Sequence, residues 1–235
     1  MKKIIHKANT RGFANHGWLK SYHTFSFASY QNPERMNFGM LRVLNDDVVQ
    51  PKMGFGTHPH KNMEIISIPI TGALSHKDSM NNKRAIEVGE VQVMSAGTGV
   101  THSEFNDSKT AESNFLQLWI IPEKQEVTPY YDQKLFNKAD RKNKFQTLVS
   151  PRDKQVEGSL PINQQAYIAM IDLEAGSEKE YQLKNGAYFF LIDGEVKVAD
   201  EILEHRDAIG ISETVAVTIQ ATKNSKLLVI DVPMH

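Results

Sequence analysis

The sequence predicts an all-β protein built from two consecutive sandwich or barrel domains. Three observations lead there. The apolar stretches are short, rich in β-branched and aromatic residues, and punctuated by Gly, Asn, Asp or Pro, the pattern of strands joined by turns. No stretch keeps the 3.6-residue apolar period of a helix of three or more turns. Finally, "EIISIPITGALSHKDS" and "AYFFLIDGEVKVAD" each read as two apolar strands around a tight turn, at Thr71-Gly72 and at Asp193-Gly194, so the architecture reads as duplicated.

Taken in order, "YHTFSFA", "FGMLRVLNDDVV", "MEIISIPI", "ALSHKDS", "EVQVMSA" and "NFLQLWIIP" supply the strands of the first half. "QAYIAMIDLEA", "AYFFLID", "EVKVAD", "VAVTIQA" and "KLLVIDVP" supply those of the second. Between them, from about Asp132 to Gly158, the chain is rich in Lys, Arg, Asp and Asn and has no sustained apolar pattern. That stretch divides the chain into residues 1–134, a linker and boundary at 135–158, and residues 159–235, with "KFQTLVS" able to start a new strand. Placing Gly72 on Gly194 sets Glu180 and Gln182 opposite His58 and His60, and Gly186 opposite Glu64. Only the first half keeps its histidines.

Composition narrows the function classes. With 235 residues, 40% hydrophobic and 23% charged, the chain is long enough to bury a sizeable core or two small ones. A net charge of -1 leaves no electrostatic footprint for nucleic acid or an anionic membrane. The absence of cysteine excludes disulfides and thiolate chemistry and fits a reducing compartment. "MKKIIHKANTRGF" is basic without an apolar continuation, and no apolar run reaches the ~18 residues of a membrane span. The expectation is a soluble, cytoplasmic monomer.

The chemistry concentrates in two short segments. In "GFGTHPHKNME", His58 and His60 stand two residues apart, which in a strand turns both to one face. In "THSEFN", His102 and Glu104 repeat that spacing. Three imidazoles and one carboxylate suit a divalent transition metal better than Mg or Ca, and an octahedral shell would keep two positions open. Strand parity alone leaves Glu64 and Glu104 as alternatives for the carboxylate.

"HPHKNME", followed by "SAGTGVTHSE", resembles the two metal-binding motifs of the pirin family, within the cupin superfamily. The segments "HGWLKSYHTFSFASYQNP" and "LRVLNDDVV" resemble the pirin N-terminus. The resemblance covers the first half by motif and the second by strand pattern. It implies a bicupin: two cupin-type β-barrels, jelly-roll-like, with the metal in the first and no metal ligands in the second. It also selects Glu104 as ligand beside His58, His60 and His102, with Glu64 left as runner-up or as acceptor for an imidazole N–H. The sequence departs from the general cupin pattern in having Ser95 for a proline and four residues between Gly97 and His102.

By the same resemblance, the activity implied is that of a quercetin 2,3-dioxygenase, which opens a flavonol with O2 and releases carbon monoxide. The metal, Fe(II) first with Cu, Mn, Ni, Co or Zn acceptable, would be Lewis acid and template, and Glu104 the catalytic base. The implied alternative is an iron-binding, redox-responsive regulator acting through protein partners. The remaining residues read as structure. His16 and His23 are expected to be hydrogen-bonded structural residues, Trp18, Phe25 and Phe27 core, His76 exposed, and "GTG" at Gly97 to Gly99 a turn. Phe38, Met40 and Arg42 alternate on one strand face, as pocket wall or as barrel core; His205 and His235 receive no role.

Overall fold

The computed structural model describes residues 1–235. The first part of the chain forms β1 (Lys2–His6), β2 (Gly12–Asn15), β3 (Leu19–His23), β4 (Leu41–Val49), β5 (Gly54–His60), β6 (Glu64–Thr71), β7 (Ala73–Asp78), β8 (Lys83–Glu87), β9 (Glu90–Ser95), β10 (Val100–Phe105), β11 (Ser113–Ile120) and β12 (Tyr130–Leu135). The second part forms β13 (Gln146–Pro151), β14 (Leu160–Ile162), β15 (Tyr167–Leu173), β16 (Glu178–Gln182), β17 (Gly186–Asp193), β18 (Val196–Val198), β19 (Glu201–Leu203), β20 (Ala208–Ser212), β21 (Ala216–Ala221) and β22 (Ser225–Val232). Helical structure is limited to three short 3-10 segments, and no helix is long and apolar enough to cross a membrane.

Each part builds a seven-stranded and a four-stranded sheet: β12-β9-β6-β11-β4-β3-β2 with β5-β10-β7-β8, and β1-β20-β17-β22-β15-β13-β14 with β16-β21-β18-β19. The tight turns expected at Gly72 and Gly194 join β6 to β7 and β17 to β18, and both glycines have positive φ. The stretch read as linker is largely ordered. β12 pairs with β9 in the first part, while "KFQTLVS" forms β13 against β15 in the second.

Alternation along the strands decides what each sheet face buries. Ile66 and Ile68 of β6, Leu116 and Leu118 of β11, and Val91 and Val93 of β9 join Tyr188, Phe190, Leu228 and Ile230 in one core of 26 buried residues. This core lies between the two large sheets and holds the halves together. The opposite faces line the barrel interiors. The second interior is largely apolar, a cluster of 16 residues including Phe189, Val217 and Val229 with the buried Asp231 accepting from the Tyr181 hydroxyl, and both groups of metal-competent side chains lie in the first half.

Three expectations need correction here. Residues 2–6, read with the first half, form β1 on the edge of the second half's large sheet, paired with β20. Glu180 and Gln182, aligned on His58 and His60, point outward and are exposed, while Tyr181 between them is buried opposite Val217. The β16 parity is therefore opposite to that of β5. Phe38, 7% exposed, packs on Tyr188 between the two halves, and Arg42 donates to the Ser26 and Met36 carbonyls.

Candidate metal centre and its pocket

Two neighbouring strands supply the imidazoles. β5 carries His58 and His60 on one face, and the antiparallel register sets His102 of β10 directly opposite His58. The ring centroids lie 4.5 Å apart for His58 and His102, 4.8 Å for His58 and His60, and 4.9 Å for His60 and His102. One nitrogen from each lies within 4.8 Å of the others. His58 Nδ1 meets the Gly56 carbonyl at 2.8 Å; donating there leaves Nε2 free, the arrangement that fixes a ligand imidazole.

His102 is the ring that a metal would satisfy. It is 1% exposed and neither ring nitrogen has a partner, although a buried polar atom without one costs about 1–3 kcal/mol. A cation at the convergence of the three rings would use such a nitrogen. Burial, then the neighbouring imidazole, lowers the His60 pKa to about 4. Burial and the surrounding imidazoles lower that of His102 to about 2. Both are neutral at pH 7, the form that ligates. The donor set therefore fits a divalent transition metal.

Glu104 follows a bulge in the β10–β5 pairing and is 2% exposed. Gln117 Nε2 donates to its Oε2 at 3.0 Å, and the Ser67 hydroxyl lies 3.2 Å from Oε1. Burial outweighs these hydrogen bonds and raises its pKa to about 7. Its carboxylate lies within 4.8 Å of donor atoms of His102 and His76.

His76 reverses the expectation of exposure, because β7 pairs with β10 on the edge away from β5 and sets it opposite Glu104. It is 1% exposed, its Nε2 lies 2.9 Å from Asp78 Oδ2, and its ring stacks on Tyr131. Glu64 turns away from the histidines. β5 ends at His60 and β6 begins at Glu64, so parity does not carry across the intervening turn. Its carboxylate instead accepts from Ser95 Oγ at 2.6 Å and Asn163 Nδ2 at 3.2 Å, tying the first half to the second. Ser95, which stands where the cupin pattern has proline, is the donor.

The histidines and Glu104 line a pocket of about 590 Å³. Part of the lining is aromatic: Trp18 packs edge-on to Phe55 at 5.2 Å, and Phe27 edge-on to Trp119 at 5.3 Å. Trp18 and Phe27, expected in the core, thus line the pocket, while Phe25 is core at 1% exposure. His16 is exposed and lines the pocket too. His23 is buried there with Nδ1 unpartnered, in contrast to the hydrogen bond expected for it. The polar part of the lining includes Ser21, Asn45, Asp47 and Gln117. Sequence reasoning missed these last four. Their signal was a polar residue at an inward strand position, as in "NFLQLWI", where Gln117 stands between Phe115 and Trp119.

The family model described as Pirin matches residues 5–120, and that of the quercetinase C-terminal cupin domain matches residues 147–232. The chain belongs to the pirin family. A quercetin 2,3-dioxygenase of Escherichia coli K12 is 40% identical over 231 residues, 97% of this chain and 98% of the relative. A pirin-like protein of Caulobacter vibrioides is 40% identical over 222 residues, 94% and 95% of the two chains. The crystal structure of the bacterial pirin YhhW from E. coli in complex with nickel(II) superposes with a TM-score of 0.93 at 39% identity, covering 99% of each chain. The bicupin architecture expected from the pirin motifs is thus the fold of this chain.

Proposed function

We propose that this pirin is a quercetin 2,3-dioxygenase, opening the oxygen heterocycle of a flavonol with O2 and releasing carbon monoxide. The observation that carries the proposal is the convergence of three imidazoles beside a buried carboxyl in a pocket partly lined by aromatic side chains. His58, His60, His102 and Glu104 are assigned as holders of one divalent transition metal ion. Fe(II) is the first choice, and Ni, Cu, Mn, Co and Zn suit the same donors. When bound, the ion supplies Lewis acidity and a template for substrate and O2.

The chain's own groups do the rest. Trp18, Phe55, Phe27 and Trp119 offer aromatic edges and faces to a planar ring system and exclude water from it. Glu104, buried at the end of a polar row, is the base that takes the flavonol 3-hydroxyl proton on a carboxylate oxygen. Gln117 and Ser67 hold that carboxyl in place during the transfer. A cytoplasmic monomer acting on a small molecule, without nucleic acid or membrane, completes the proposal; the lack of cysteine and the net charge of -1 support it. The second half, with β13 and β1 in its large sheet, acts as a cupin domain without ligands, supported by the largely apolar interior of that barrel.

The test is O2 uptake together with carbon monoxide detection on anaerobically Fe(II)-loaded protein given quercetin, beside His60→Ala. Matched O2 loss and CO release are expected in the wild type, with both lost in the variant along with its metal. Full turnover by metal-free protein, or no gas change from iron-replete wild type, contradicts the proposal.

A further inference from the structure

The pocket lining carries more polar groups than the metal needs. Across β3, β4 and β11, His23, Asn45 and Gln117 stand in register, and Gln117 continues the row to Glu104 at 3.0 Å. One step along β4 is Asp47, 3% exposed, opposite Ser21. Ser21 donates its hydroxyl to Asp47 Oδ1, while Oδ2 makes no hydrogen bond within the chain. Asn45 Oδ1 and His23 Nδ1 also lack partners. Unmatched polar groups in a buried wall are costly, and here they face a cavity.

We propose that Asp47 is a specificity-determining residue, whose Oδ2 accepts a hydrogen bond from a phenolic hydroxyl on a part of the substrate away from the metal. The proposal rests on the flavonol reading and narrows it to polyhydroxylated flavonols. A flat substrate with its reacting hydroxyl at Glu104 lies along the row of Gln117 and Asn45 toward Asp47, in contact with the aromatic residues that share the lining. Burial raises the Asp47 pKa to about 7, against the Ser21 hydrogen bond. Asp47 is therefore a partner for neutral hydroxyls rather than for cations, since a carboxyl that is partly protonated at pH 7 attracts a cation weakly.

The test measures Kd for quercetin and for 3-hydroxyflavone, which has only the hydroxyl on the heterocycle, by anaerobic titration of Fe(II)-loaded wild type and Asp47→Asn. The variant should lower the preference for quercetin over 3-hydroxyflavone about tenfold, the worth of one buried hydrogen bond. Ser21→Ala, which only frees the carboxyl from its anchor, should lower it by less and gives the answer if Asp47→Asn does not fold. An unchanged preference, or equal losses for both flavonols, overturns the proposal while leaving the dioxygenase reading standing. If wild type binds neither compound, both readings fall.

Discussion

At the scale of single residues, the site depends on what surrounds each charge. His58, His60 and His102 were legible because period-two spacing in a strand has one geometric consequence, a shared face. Glu104 was legible by the same rule, but its state was not, since burial and two hydrogen bonds from β6 and β11 set its pKa. The Gln117 bond favours the charged carboxylate. Gln117→Leu is therefore expected to raise the Glu104 pKa, moving the acid limb of the kcat/KM profile for quercetin upward by roughly one unit. A limb that stays in place or moves down would detach that limb from Glu104. His76 and Glu64 were misread for one reason: sequence shows parity within a strand but not which strand pairs beside it, nor where a turn resets the parity.

At the scale of elements, the metal strands are held by tight connections. "SAGTGV" turns β9 into β10, with Gly97 at φ +46 and Gly99 at φ +140. A Cβ at Gly97 would strike the Val127 carbonyl oxygen, and the left-handed backbone adds to the cost of any side chain there. Gly97→Ala is expected to destabilise the protein by about 2–4 kcal/mol, combining the clash with the backbone cost. The turn delivers His102 to its place, so metal retention should fall as well. Thermal melts with metal analysis check this; wild-type Tm and metal content would refute it. The same scale separates the two barrels. β5 turns its histidines inward, whereas β16 turns Tyr181 inward and leaves Glu180 and Gln182 in solvent, so a duplicated strand order produces only one site.

At the scale of the molecule, the two large sheets close on a common core, and the chain's first strand crosses to the far sheet. His6 at the end of β1 packs on Phe25 of the first half and meets the Tyr188 hydroxyl of the second at 2.7 Å. Burial, then the nearby Arg35, lowers its pKa from 6.5 to about 4. Between those values the unfolded chain binds the extra proton, so the stability that His6 contributes is lost as pH falls from 6.5 toward 4, by up to about 1.4 kcal/mol per unit. His6→Gln lacks this titration. The stability difference between wild type and variant, from urea melts of metal-free protein, should therefore shrink from pH 7 to pH 5; a constant or widening gap would be the contrary result. By itself the sequence determined the β class, the duplication, the three imidazoles and the family, because period-two alternation and motif spacing are local and survive without coordinates. Only the tertiary structure decided that β1 changes sheets, that Glu64 ties the halves together, that His76 is buried beside Glu104, and that Asp47 lines the pocket. Those facts depend on which strands become neighbours, and strand pairing joins residues far apart in the chain.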